Sequence, residues 1–224
     1  MINSLKKFNI RKNQKIKVDD FINRALYEPE VGYYSRRLPF GKTGDFITSP
    51  TISNLFSEII AVWIISSWET LGKPKIFNLV ELGPGDGSLS EVLVRTFKNF
   101  PTFNNSVKIF LYEKSKFLKK AQQEKVKAIN VKWINNFKKI NGGPVIFFGN
   151  EFFDAIPIKQ FFYKDKELFE KCYIFNGKVL EKTYCKPNLK DFLSLKSFKV
   201  LKKLNFIEYP KLGLEELSKI AKKI

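Results

Sequence analysis

The period of the apolar positions changes along this chain. In KVDDFINRALYE (17–28), Val18, Phe21, Ile22, Ala25 and Leu26 share one helical face, and Pro29 closes the helix. GYYSRRLPFGKTGDFITSP (32–50) has no period and is rich in Gly, Pro, Ser and Thr. A connection this long in a compact domain tends to be functional or disordered. ISNLFSEIIAVWIISSWETLG (52–72) predicts a long, mostly buried helix, closed by Gly72 with Pro74 beyond it. Glu58, Glu69, Asn54 and several serines keep it short of the roughly 20 uncharged residues of a membrane span.

From residue 76 short apolar runs alternate with helical spacing. IFNLVEL (76–82), VKIFLYE (107–113), NVKWI (130–134) and PVIFFGNEFF (144–153) read as strands, and 89–100 and 116–127 as helices. This alternation predicts an α/β fold: a Rossmann-like parallel sheet with helices on both faces. After Pro157 the pattern becomes antiparallel. IKQFFY, LFEKCYIF and KVLEKTY surround Asn176-Gly177, a strong hairpin signal, and LEELSKIAKKI reads as an amphipathic helix to the last residue. The expected division is an N-terminal helical and loop cap over 1–75, then a core over 76–224 carrying an antiparallel β insertion.

Composition narrows the chemistry. The formal net charge is +18, with 40 Lys and Arg against 22 Asp and Glu. That suggests an anionic partner, but only five of the basic residues are Arg, whose planar fork suits phosphate and bases. Lys, Phe, Ile and Asn share AT-rich codons, so base composition also accounts for the charge, and nucleic acid is not the expected partner. The absence of histidine removes Ser-His-Asp and Cys-His nucleophiles and HExxH zinc sites. Cys172 and Cys185 are expected as a reduced, buried pair, too few for a zinc site. The basic N-terminus lacks the apolar core of a secretory signal, and the expected location is the bacterial cytoplasm.

The chemistry concentrates in VELGPGDGSL (80–89). Its glycine turn follows the first strand of the series, where open parallel sheets bind ligands. A dinucleotide site wants G-x-G-x-x-G, but Ser88 holds the sixth position. The observed spacing places Gly83, Gly85 and Gly87 after Glu81 as E-x-G-x-G-x-G. That resembles motif I of class I S-adenosyl-L-methionine methyltransferases. An acid near the turn can face the cofactor's amino group. A second acid, Glu113, ends the next strand, where it can hold the ribose hydroxyls or simply face solvent. In GNEFFDAIPIKQF (149–161), Asn150, Glu151 and Asp154 follow the fourth strand. Base-methylating enzymes carry prolines there and this chain does not. A carboxylate pair suits the planar, permanently charged guanidinium of arginine, although Asp154 is equally suited to cap a helix.

Three segments together, GYYS with GKTGDFITSP, VELGPGDGSL and NEFFDAIPIKQF, resemble the MidA family of class I methyltransferases, with ALYEPEVGYY matching its start. The resemblance covers roughly residues 17–210. It implies S-adenosyl-L-methionine as cofactor and, from the mitochondrial members, methylation of an arginine in a respiratory complex I subunit near the quinone site. By motif, Glu81, Gly83, Gly85, Gly87, Glu113, Asn150, Phe46 and Thr48 would hold the cofactor. Glu151, Asp154 and Asp45 would act at the acceptor. The loop of Gly44, Asp45, Phe46, Thr48 and Ser49 would close over both. Family members continue into a further strand, so an incomplete sheet is expected here. Two other functions stay open: a non-catalytic assembly module that keeps the fold, and an RNA methyltransferase motivated by the charge.

Overall fold

A computed structural model of the chain describes residues 8–41, 44–45, 52–198 and 204–224. In chain order its elements are β1 (Lys15–Lys17), α1 (Val18–Tyr27), the single turn α2 (Tyr33–Arg36), α3 (Asn54–Thr70), β2 (Phe77–Leu82), α4 (Ser88–Phe97), α5 (Pro101–Ser106), β3 (Val107–Tyr112), α6 (Lys116–Lys125), β4 (Val131–Ile134) and β5 (Val145–Phe148). They continue with β6 (Lys159–Lys164), β7 (Glu167–Phe175), β8 (Leu180–Cys185), α7 (Leu189–Ser197), β9 (Phe206–Tyr209) and α8 (Lys211–Ala221). Two compact units result: Met1–Tyr33 with Ala155–Ser218, and Tyr34–Asp154 with Lys219–Ile224. They do not coincide with a division at residue 75, because residues 34–75 group with the parallel strands and 155–218 with the N-terminus.

The second unit holds a parallel sheet in the order β4-β3-β2-β5. Its central strand β2, FNLVEL, is buried at all six positions, as a strand covered on both faces must be. On one face Trp68, Phe77, Phe97 and Phe103 pack edge to face or tilted, with ring centroids 4.8–5.9 Å apart. On the other, Val80, Leu82, Phe110, Ile134, Phe137, Ile140 and Ile220 form a second cluster. The α/β expectation holds. The long helix does not match it fully. Ser57, Ala61, Ile64, Ile65 and Trp68 of α3 are buried, whereas Leu55, Ile59, Val62 and Trp63 are more than half exposed. The helix is apolar around its whole circumference, and the core covers only one side.

The first unit holds an antiparallel sheet of five strands, β1-β7-β6-β9 with β8 along β7. The β7–β8 hairpin turns at Asn176-Gly177: Gly177 has φ +102°, and Asn176 Oδ1 accepts the N–H groups of Lys178 and Val179. The expected antiparallel segment is therefore larger than an insertion, since β1 joins it from the N-terminus. The cysteine expectation is corrected. Cys172 and Cys185 form a disulfide, because the β7–β8 register sets Cys172 opposite Thr183 and Cys185 opposite Glu170. The two are diagonal neighbours with Cα atoms 6.3 Å apart, within bridging range.

Candidate functional site

The carboxyl ends of β3, β2 and β5 lie side by side: Glu81 is in register with Leu111 of β3 and Phe148 of β5. The chain runs from β2 through β3 to β4 on one side and then returns from β4 to β5 on the other side of β2, so the strand order reverses here, the usual ligand position in such sheets. The glycine turn leaves β2 at this point. Gly83, Gly85 and Gly87 have φ of 60°, 60° and 82°, a left-handed path costly for residues with a Cβ. Gly87 caps the start of α4, and its carbonyl accepts the Glu91 N–H at 2.9 Å.

Two acids flank the turn. Glu81 is 3% exposed, and the Ser90 hydroxyl donates to it. Burial pushes its carboxyl up to about 7, opposed by the Ser90 hydrogen bond and reinforced by the charges of Asp86 and Glu113. Glu113 lies one residue beyond β3. It accepts the Ser115 N–H at 2.7 Å and the Gln122 amide at 3.0 Å. Burial still raises its carboxyl above the ordinary value despite those bonds. Asp86, inside the turn, behaves oppositely. Burial pushes it up, but Lys125 Nζ at 2.6 Å and two bonds from Ser88 outweigh burial and hold it low.

Gln122 ties these parts together. It is fully buried, donates to the Gly85 carbonyl at 2.8 Å and to Glu113, and accepts from Trp133 Nε1 at 3.0 Å. The sequence reading missed it. Its only signal was a glutamine four residues after Leu118, on the buried face of α6.

The segment after α2 reaches the same place. The Phe40 ring lies 3.3 Å from where a Cβ on Gly85 would stand, and it stacks on Tyr34 at 6.2 Å between centroids. Ser115 Oγ donates to the Tyr34 carbonyl at 2.7 Å. Burial raises the Tyr34 hydroxyl, and the charges of Glu151, Asp154 and Glu113 raise it further. Asn150 is half-buried, whereas Glu151 and Asp154 are exposed. Glu151 adopts φ +57°, a strained conformation for a glutamate of the sort that clusters at functional positions. Phe152 packs against Gly83. Asp45 is exposed and paired with Arg37. Phe46, Thr48 and Ser49 lie outside the described residues. Among the described residues there is no helix long and apolar enough to cross a membrane and no cluster of metal-binding side chains.

Comparison with known proteins places the chain in a family. Residues 59–223 match the Methyltransf_28 family model, described as "Putative S-adenosyl-L-methionine-dependent methyltransferase". The chain is 35% identical over 177 residues to the mitochondrial protein arginine methyltransferase NDUFAF7 of Xenopus tropicalis, covering 68% of this chain and 41% of that protein. The Drosophila melanogaster homologue is 34% identical, over 65% of this chain and 38% of that protein. The chain thus spans about two fifths of the length of these relatives. A COG1565 superfamily member from Burkholderia thailandensis, crystallised with S-adenosyl-homocysteine, superimposes with a TM-score of 0.72 at 20% identity, over 92% of this chain and 55% of that one. The expected bacterial cytoplasmic location is overturned: the curated relatives, from frog, fly and human, are mitochondrial proteins. The family reading itself stands, and the chain belongs to the S-adenosyl-L-methionine-dependent methyltransferase family of that model.

Proposed function

We propose that the chain binds S-adenosyl-L-methionine at the glycine turn and serves a protein arginine methyltransferase reaction. One observation carries the reading. Two carboxylates flank a left-handed glycine turn at the carboxyl ends of adjacent strands, and the groups that donate to them, the Ser90 hydroxyl, the Ser115 and Lys114 backbone N–H groups and the Gln122 amide, are all uncharged. That donor set fits the cofactor: Glu81 supplies a buried anion for an ammonium, and each Glu113 oxygen retains lone-pair capacity for a ribose hydroxyl. When bound, the cofactor supplies an electrophilic methyl group on a cationic sulfur.

The chain's own part is to bind and orient. Glu151 and Asp154, with Asn150 beside them, are the proposed acceptor groups. Carboxylates accept the N–H fork of a guanidinium, cancel its charge and aim one nitrogen along the line of transfer. Tyr34, whose hydroxyl is raised by the charges of both acids, is proposed to fix the orientation of that fork. The arginine-methyltransferase relatives and the family resemblance make a complex I subunit the first protein substrate to test. A non-catalytic assembly module remains the second reading. It is favoured by the outer edge of β5, which pairs with no strand among the described residues.

Calorimetric titration with S-adenosyl-homocysteine tests the first step. Micromolar binding is expected. Gly85→Val is expected to weaken it at least about tenfold, since a branched side chain resists φ +60° and would meet the Phe40 ring. A folded chain without affinity, or a valine variant that binds equally well, would overturn the placement. For the second step, labelled methyl should appear on arginine of the subunit. Asp154→Asn should cut that turnover far more than affinity for S-adenosyl-homocysteine. Equal losses would move Asp154 out of the acceptor site, and binding without transfer would favour the assembly module.

A further inference from the structure

We propose that the outward face of α3 is a self-association surface, on which a second copy of this chain packs about a two-fold axis. Ile52, Leu55, Ile59, Val62 and Trp63 follow helical spacing and are 70%, 61%, 58%, 56% and 56% exposed. Together they expose on the order of 500–600 Å² of apolar surface, the size of patch that marks an interaction site on a monomer. The opposite face is the one buried in the core.

Charge selects the occupant. Thr43 to Gly72 is a run of 30 residues without Lys or Arg, in a chain with 40 of them and a net charge of +18. A like-charged copy is repelled by lysine-rich surfaces and meets none on this helix. The rim is neutralised too: Glu58 pairs with Arg95 at 3.6 Å and Glu69 with Lys73 at 2.9 Å. A membrane-surface helix would instead carry Lys and Arg on its polar flank, and α3 has neither. Two such faces together would bury about 1,000–1,200 Å², at the small end of specific interfaces. In an antiparallel two-fold pairing Ile59 lies near the axis, and Leu55 of one copy meets Val62 and Trp63 of the other. Such a contact is isologous and closes as a dimer. Trp63, one turn from the axis, is of the residue type that commonly anchors such contacts.

Sedimentation equilibrium of the 26.1 kDa chain at micromolar concentration tests this. The expected mass is twice that of the monomer. Ile59→Glu with Trp63→Glu should return it to the monomer while it keeps a cooperative thermal melt, because both side chains point away from the core. A monomeric wild type, or a dimer that survives both substitutions, would overturn the proposal. So would a monomer that floats with phosphatidylcholine vesicles, which would assign the face to a lipid surface.

Discussion

Glu81→Gln is expected to stabilise the protein by about 2–3 kcal/mol at pH 8 and to weaken cofactor binding. The carboxyl of Glu81 titrates near 7 in the folded chain, chiefly because burial disfavours its charge. In the unfolded chain it titrates at its ordinary 4.5. Between these values the unfolded state has released its proton and the folded state has not. Stability is therefore full below about 4.5 and declines as pH rises through 7. Glutamine has the shape without the charge, and it keeps an oxygen for the Ser90 hydroxyl. Urea unfolding should show a wild type that loses about 3 kcal/mol between pH 4 and 8 at this site, and a variant that does not. Parallel pH profiles of the two proteins would remove the explanation. In titrations with S-adenosyl-homocysteine, wild-type affinity should gain as pH rises through 7, because only the ionised carboxylate pairs with the ligand's ammonium. The glutamine variant serves as the blank, since any titration of the ligand itself appears in both.

The two effects have one cause. A buried acid without a cationic partner costs stability until a cation arrives, and a ligand ammonium would supply it. Asp86, four residues from the mouth of β2, shows the structural alternative. It has Lys125 at 2.6 Å, so it is held ionised without any ligand. The contrast between these acids, five residues apart, separates an acid that waits for a partner from one that already has it.

The parts of this site that could be read from sequence are those with local signatures. A buried strand announces itself as FNLVEL, a left-handed path favours glycine, and Asn-Gly favours a hairpin. Glu81 and Glu113 followed because each sits at a fixed offset from such a signature. What escaped depends on packing between distant segments. Gln122 looks like one polar residue of a polar helix until α6 lies beside the glycine turn. Phe40 sits in an aperiodic stretch, and only its approach to Gly85 gives it a role. The outward apolar stripe of α3 was hidden for the opposite reason. Hydrophobic periodicity reports where apolar residues fall, and α3 is apolar on both sides, so sequence could not say which face the core would take. The disulfide needed the β7–β8 register, which a separation of 13 residues alone does not give.

Lys159→Met should be the most damaging single change in the antiparallel unit, costing about 3–5 kcal/mol at neutral pH. Lys159 is 7% exposed, and its ammonium meets Glu170 at 2.7 Å, Asp19 at 3.2 Å and Asp191 at 3.3 Å. Burial alone would push its proton off, but Glu170 and Asp19 outweigh burial and hold it charged. Glu170 and Asp191 are each 1% exposed, so neither can turn to water when the lysine is removed. Lys17 would still reach Glu170 and Lys211 would still reach Asp191, each at 2.7 Å. Asp19 would lose its ion pair while its Oδ1 already lacks a hydrogen bond. Three acids would then share two more exposed lysines, whose charges water screens. Methionine fills the volume, so a loss of this size would measure uncompensated charge and not a cavity. The pH dependence separates the two. Burial pushes the Asp191 carboxyl up, but Lys211, Lys159 and Asn188 together hold it below its ordinary value, so its contribution is present above that value and lost as pH falls. The penalty of Lys159→Met should therefore shrink in acid, where the orphaned carboxyls take up protons. A packing defect would cost the same at every pH.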